Sequence, residues 1–370
     1  MKPINVFSGF DGMSCGQLAL QKAGIPVGTY HASEIDKPAM KVTTKNFPFT
    51  LHMGDITKLE DWRLEFIRDE IGIDLVIGGS PCQGFSFAGN QLNFDDPRSK
   101  LFFDFVRVLK ILKPKYFLLE NVRMKKESQD IISEYLGVEP VAINSNLVSA
   151  QNRHRLYWTN IPFDMPEDKG IILADILEDG VTDREKSHCL DANYFKGGNL
   201  KSYFEKHRRQ LVFNNKGGAI RGRYDKDGKI KQQLELRPDD KTNTLTTVQK
   251  DNVVVSGCIQ VGEADLKGFD IIKRVYSPEG KAPTLTTMGG GHREPKVIVD
   301  ELTWRKLTVK ECERLQTVPD GYTKGVSNTQ RYKMLGNGWT VDVVAHILKG
   351  IKEEELEPQA IDDYYMALQD

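Results

Sequence analysis

The first part of the chain alternates short apolar runs with amphipathic stretches. INVFS, TYHASEI, TLHMGDI, IDLVIGG and YFLLENV read as strands, and HRLYWTN as a later one. CGQLALQKAG and LFFDFVRVLKILKP carry apolar residues at helical spacing between them. Strands separated by helices predict an α/β protein with a doubly wound, mostly parallel sheet. Such sheets bind ligands at the carboxyl ends of their strands. Near residue 180 the pattern changes. From there to about 300 the chain is polar and rich in Gly, Lys and Thr, with short strand-like pieces such as QLVFN, NVVVSGCIQVG and KVIVD. KTNTLTTV at 241–248 is echoed by KAPTLTTM at 281–288, too short a unit for a solenoid and readable as two hairpin edges. Helical spacing returns in TVKECERLQTVP, and GNGWTVDVVAHILKGIKE reads as a helix packing back on the first part. The predicted organisation is a first domain over 1–180 and a smaller, irregular, β-rich domain over 181–304. A return to the first domain spans 305–350, and an acidic tail spans 351–370.

Composition narrows the class. Of 370 residues, 39% are hydrophobic and 28% charged, as in a globular protein, and no apolar run reaches the length of a membrane span. The N-terminus runs straight into a strand without a charged-then-apolar leader, so a cytoplasmic protein is expected. Five cysteines at wide spacing include no CxxC pair, and seven histidines form no ligand pattern. Neither a disulfide framework nor a metal site is expected. The net charge of −1 hides an asymmetry. Residues 196–231 hold eleven Lys or Arg against three Asp or Glu. Such a segment suits contact with a polyanion, although a solvated basic loop has the same composition.

Candidate chemistry clusters at strand ends. In VFSGFDGMSCG, Gly9, Gly12 and Gly16 let a strand turn tightly into a helix, presenting amides to a ligand. The spacing is not that of a dinucleotide loop. Glu34 and Asp55 end the second and third strands, where a carboxylate accepts hydrogen bonds from ribose hydroxyls or simply caps a turn. Together these positions favour a nucleoside-bearing cofactor. Cys82, in GGSPCQGFSFAGN, follows the fourth strand in a Gly- and Ser-rich loop, as a nucleophile or as an incidental cysteine. Glu120 follows four apolar residues, an expensive place for a carboxylate that serves no ligand. Arg153 and Arg155 alternate on one face of a strand, and a salt bridge, to the acidic tail or to Glu120, is the plainer reading of that pair.

FSGFDGMSCG, GGSPCQGFS, ENV, QNRHR, RKLTVKECERLQTVPDGY and QRYKMLGNGWTV resemble, in order, the motif series of the DNA cytosine-5 methyltransferases. The form of FDGMSCG and GNGWTV resembles the branch that holds the vertebrate de novo enzymes and many phage and bacterial ones. The family's usual F-x-G-x-G-G is not kept, because position 11 is Asp. The resemblance implies methyl transfer from S-adenosyl-L-methionine to C5 of cytosine in double-stranded DNA, on a flipped base and without a metal. It implies that Cys82 attacks C6, that Glu120 holds or protonates N3 and that Arg155 binds O2, with Arg153 beside it. Phe7, Ser8, Gly9, Asp11, Gly12, Gly16, Glu34, Ile35, Asp55, Ile56, Ser80, Pro81, Leu101, Asn337 and Trp339 are implied around the cofactor. The alternative for Trp339 is a core tryptophan.

By the same resemblance, the loop from Gln83 through Ser86 to Arg98 closes over the flipped nucleotide, and the variable region is the target-recognition domain. Arg208, Arg209, Arg221 and Arg223 are then expected on phosphates. Thr284, in the second Thr-Leu pair, with His292 and Arg293, is expected at the DNA edge. A monomer is expected, with a restriction endonuclease as a functional partner. Three other readings compete: a transfer-RNA methyltransferase, a silent binding protein on the same fold, and a thiol hydrolase. The long recognition region weighs against the first and the intact Cys82, Glu120 and Arg155 against the second. The lack of any histidine between His52 and His154 weighs against the third.

Overall fold

The computed structural model describes residues 1–80, 97–198, 203, 206–213, 216–224, 230–236, 252–255, 260–263, 274–276, 296–297 and 304–351, with backbone alone for 97–99 and from 216 to 297. Pro81, Cys82, Gln83, Ser86, Thr284, His292 and Arg293 lie outside the described residues.

Seven strands form one sheet: β1 (Ile4–Gly9), β2 (Val27–Ser33), β3 (Leu51–Gly54), β4 (Leu75–Gly78), β5 (Tyr116–Val122), β6 (Val141–Asn144) and β7 (His154–Thr159). Their order is β3-β2-β1-β4-β5-β7-β6. The first five pair in parallel, and β7 runs antiparallel to both of its neighbours. The chain winds outward from β1 to β3, then crosses back to place β4 on the other side of β1. That reversal opens a crevice at the strand ends between β1 and β4.

Helices cover both faces, which is why the parallel strands read as nearly continuous apolar runs. Val6, Ile77 and Leu118 pack on one side with Leu18 of α1 (Cys15–Ala23). Phe7, Val76, Phe117 and Leu119 pack on the other, after α2 (Lys37–Asn46), with Leu64 of α3 (Asp61–Glu70) and Phe102 and Phe105 of α4 (Pro97–Leu112). Neighbouring residues thus face opposite cores, as the strand period of two requires. Gly78, in register with Gly9, is where Phe105 comes closest: a Cβ there would lie 2.7 Å from the ring.

Among the described residues the later helices are α5 (Lys126–Leu136), α6 (Leu173–Ile176), α7 (Val309–Leu315), α8 (Asn328–Asn337) and α9 (Val341–Leu348). α9 packs on α1 as expected, but it starts later than GNGWTV suggested. Gly336 and Asn337 end α8, and Thr340 is the first residue before α9. The Gly-Asn-Gly sequence holds helix poorly. The short edge strand β6 was not legible either, since Val141 and Ala142 are exposed and give no apolar alternation.

Between α6 and α7 lie β8 (Leu211–Phe213), β9 (Lys216–Tyr224), β10 (Ile230–Leu236), β11 (Asn252–Val255), β12 (Gln260–Glu263), β13 (Arg274–Tyr276), β14 (Lys296–Val297) and β15 (Trp304–Lys306). NVVVSGCIQVG is two strands rather than one, and β9 and β10 form a hairpin pairing that glycine and charge had concealed. β15 returns antiparallel to β8. No helix among the described residues is long and apolar enough to cross a membrane.

Candidate active site

The crevice at the strand ends is a cavity of about 650 Å³. Asp11, Gly12, Glu34, Ile35, Asp55, Ile56, Ser80, Leu101, Glu120, Arg153, Arg155, Asn337 and Trp339 line it, all expected from the sequence. Phe7, Ser8, Gly9 and Gly16 do not line it. Phe7 is fully buried against the α3 and α4 side. Gly16 is the close approach between α1 and the sheet, where a Cβ would lie 2.6 Å from the Tyr30 hydroxyl.

The wall on the β1 side is a tight turn. Phe10, Gly12 and Ser14 all have left-handed backbone, with φ of 58°, 61° and 62°. Two of the three are not glycine, so the turn is held against about 1–3 kcal/mol of strain per residue. The holding groups are the Asp11 amide bonded to the Ser33 carbonyl at 3.0 Å and the Gly12 amide bonded to Glu34 Oε2 at 2.7 Å. Glu34 Oε1 accepts from the Ile35 and Asp36 amides, both at 2.7 Å. Its carboxylate therefore clamps two strand-end loops together, leaving one lone pair on Oε2 for a ligand. Asp55 caps its own turn through Oδ1, which accepts from the Thr57 amide and hydroxyl. Ile35 is 70% exposed at the cavity edge, beside buried Ile56.

Beneath that turn sits Asp11. Tyr30 donates its hydroxyl to Asp11 Oδ1 at 2.7 Å, while Oδ2 is shut off from solvent, with the Ser8 and Ser14 hydroxyls beside the carboxyl. Burial pushes this carboxyl up to about 6, against the hydrogen bond from Tyr30. Sequence reasoning passed over Tyr30. Tyr30 lies far from Asp11 along the chain, so no local spacing signals the contact.

The opposite wall carries a carboxylate–guanidinium pair. Glu120 on β5 lies opposite Tyr157 on β7, and Arg155 lies opposite Val122. The two are diagonal neighbours on one face. Arg155 Nε is 2.9 Å from Glu120 Oε1, with side chains 14% and 10% exposed. The loop that follows β4 starts against this pair. A Cβ on Gly79 would lie 2.9 Å from Trp339 Nε1 and 3.3 Å from Glu120 Oε2, so only glycine fits. Asn121 Nδ2 then holds Ser80 Oγ at 3.2 Å. Cys82 follows two residues later, outside the described residues.

Arg153 is placed differently from Arg155. It is buried, with Nη1 donating to the Leu190 carbonyl at 3.0 Å and Nη2 to the Gly338 carbonyl at 2.9 Å and the Gly336 carbonyl at 3.3 Å. Its guanidinium ties the loop bearing Trp339 to the segment leading toward β8. Gln151 and Gln316 extend the same seam, through the Leu315 and Leu335 carbonyls. Lys333, also missed in the sequence, lines the cavity and reaches Asp36 Oδ2 at 2.6 Å.

Of the residues expected on DNA, Arg208 is exposed and 3.4 Å from Asp191, while Arg209 donates to the Gly197 carbonyl at 2.8 Å. Arg98 on α4 and Arg221 and Arg223 on β9 are placed by backbone only. No cluster of metal-ligating side chains occurs among the described residues.

Comparison with known proteins places this geometry. The family model for C-5 cytosine-specific DNA methylases matches residues 1–353. The chain is 31% identical to the orphan methyltransferase M.Rho11sI of Bacillus phage rho11s, over 81% of this chain and 70% of that protein. It is 28% identical to the orphan methyltransferase M.SPBetaI of Bacillus phage SPbeta, over 94% and 97%. Among solved structures, a variant of Spodoptera frugiperda DNMT2 shares the fold at a TM-score of 0.57 and 18% identity, covering 94% of this chain and 99% of that one.

Proposed function

The chain belongs to the C-5 cytosine-specific DNA methylases and is a DNA methyltransferase. From that premise we propose that it uses S-adenosyl-L-methionine to methylate cytosine at C5 within a specific double-stranded DNA sequence. The observation that carries the reading is the Glu120–Arg155 pair facing the cavity where the chain runs on toward Cys82.

The cavity suits the cofactor. Its volume lies in the range of small-molecule sites. The spare lone pair of Glu34 suits a ribose hydroxyl, and the bare Ile35 with Ile56 and Trp339 suits a purine face. When bound, S-adenosyl-L-methionine supplies an electrophilic methyl group.

Cytosine C5 is too weak a nucleophile unaided. In the proposed chemistry the Cys82 thiolate forms a bond to C6 of a flipped cytosine. Glu120 delivers a proton to N3, so negative charge does not build up on the ring. Arg155 holds O2 and, through its bond to Oε1, keeps Glu120 aimed. C5 then has enamine character. After methylation a base or water takes the C5 proton, the thiolate leaves C6, and N3 returns its proton to Glu120.

Residues 181–304 are proposed as the target-recognition domain on the catalytic domain of 1–180, with DNA phosphates on the basic segment. The enzyme is proposed to act as a cytoplasmic monomer. Its role is that of a modification enzyme, either paired with an endonuclease or standing alone as the phage relatives' names describe those proteins. Bisulfite sequencing of a plasmid from cells expressing the chain tests this directly. Protected cytosines in one sequence context support it, and uniform conversion overturns it.

A further inference from the structure

Asp11 stands in the tight turn after β1, between the left-handed residues Phe10 and Gly12, and the structure has built around it. Its carboxyl is enclosed beneath the turn that walls the cavity, with the Ser8 and Ser14 hydroxyls beside it. Tyr30 reaches from β2 to donate to Oδ1 at 2.7 Å. Tyr30 in turn leaves no room beyond a hydrogen at Gly16. Asp11 Oδ2 and Ser8 Oγ are closed to solvent, and the Ser8 and Ser14 hydroxyls are the groups that favour the ionised carboxylate beside Tyr30. Enclosing a carboxylate is unfavourable unless something offsets it, and here burial outweighs the hydroxyls that face the group. The turn alone does not need it, because its closing bonds are made by the Asp11 and Gly12 backbone amides.

We propose that Asp11, held by its positioning residue Tyr30, selects charge in the methyl-donor pocket. Its enclosed negative charge behind the cavity wall favours a nucleoside that carries a net positive charge over a neutral one. This rests on the reading of the cavity as the S-adenosyl-L-methionine site. The donor is a sulfonium and its demethylated product is not, so the residue biases the enzyme toward taking up donor and shedding product. A charge in a poorly solvated wall acts over several ångströms, because little water screens it.

The groups facing Asp11 leave it as the one that titrates near neutrality. Tyr30 from β2, Cys15 from α1 and Tyr322 from the turn before α8 are each pushed up by burial and stay neutral. Glu34, after β2, is the like charge nearby. Asp11 itself is raised to about 6 by burial, while the Tyr30 hydrogen bond opposes that rise.

The test measures dissociation constants by calorimetry between pH 5 and 8 for four nucleosides. S-adenosylmethionine and sinefungin carry the extra positive charge; S-adenosylhomocysteine and methylthioadenosine do not. The wild type is expected to prefer the two cations at pH 8 and to lose that preference as pH falls through about 6. Asp11→Asn should cut the preference about tenfold at pH 8 and make it flat with pH. Tyr30→Phe should keep the preference at pH 8 but move its midpoint up by about one unit, because a donor to the ionised form has gone. A merely structural role would lower affinity for all four ligands alike, and that result overturns the proposal. So does an unchanged preference in Asp11→Asn. If no nucleoside binds the wild type, the cofactor reading falls as well.

Discussion

Arg155 Nε and Glu120 Oε1 lie 2.9 Å apart, joined diagonally across the antiparallel pairing of β5 and β7. A strand-tethering salt bridge and a catalytic pair would look alike in this respect. What supports the proposed catalytic role is the surrounding: both residues line the cavity, and the glycine that starts the Cys82 loop is packed against Glu120.

Glu120→Gln keeps the size and one hydrogen bond but removes the transferable proton. The single-turnover rate should fall by about a hundredfold or more, the scale of general acid catalysis. DNA binding and melting temperature should stay close to wild type. A variant that melts early yet turns over normally per folded molecule would leave only the tethering role.

This pair was readable in the sequence as two possibilities, and the ambiguity was physical. A carboxylate after four apolar residues and an arginine on an alternating strand imply a partner, but not whether a ligand also sees them. The parallel strands were legible because both of their faces are buried. β6 was not, since its exposed Val141 and Ala142 break the pattern. Glu34 was legible as a strand-end acid. Its engagement by three backbone amides was not, because amide partners leave no mark on residue identity. Tyr30 was hidden for a similar reason: its hydroxyl matters only once β1 and β2 are adjacent.

Cys82→Ala should abolish methyl transfer while leaving cofactor affinity within a few-fold, because most of the described cavity wall is built from other strand ends. Target DNA carrying 5-fluorocytosine should trap the wild type covalently, since fluorine does not leave as the proton does. Denaturing gel electrophoresis reads the adduct, and an adduct with the alanine variant would move the nucleophile elsewhere.

Arg153→Gln should act on stability first. The substitution removes the guanidinium donors to the buried carbonyls of Leu190 and Gly336, while the Gly338 carbonyl keeps Gln316. A loss of about 2–3 kcal/mol in urea unfolding is expected, from removal of charge-assisted hydrogen bonds. Cofactor affinity should weaken with it, because Trp339 follows Gly338. Arg153→Lys should recover little, since an ammonium lacks the planar fork that reaches both segments.

Asp11 also makes a stability prediction for the ligand-free protein. Its folded-state pKa is raised to about 6 from an ordinary value of 3.8. The folded state therefore binds more protons than the unfolded one between those values, and the contribution is present below about 4 and lost as pH rises through about 6. At pH 8 the ionised, enclosed carboxylate opposes folding. Asp11→Asn should then melt higher than wild type at pH 8, with the advantage shrinking toward pH 4. Differential scanning calorimetry across that range checks the sign.

The basic segment separates into two kinds of arginine. Arg208 is largely exposed, with Asp191 as a distant partner at 3.4 Å, and Lys206 beside it is exposed too. Arg209 is less exposed and holds the Gly197 carbonyl at 2.8 Å. Phosphate contacts release counterions and so set the salt dependence of DNA affinity without reading sequence. Lys206→Ala with Arg208→Ala should weaken binding to target and random duplexes alike and reduce the log–log salt slope by about two, near one unit per lost contact. Arg209→Ala should change that slope less and lower the melting temperature more, because it removes an internal hydrogen bond. Fluorescence anisotropy titrations between 50 and about 200 mM salt measure the slopes, a range over which such contacts dominate affinity. An unchanged slope in the double variant would place this part of the segment away from the DNA.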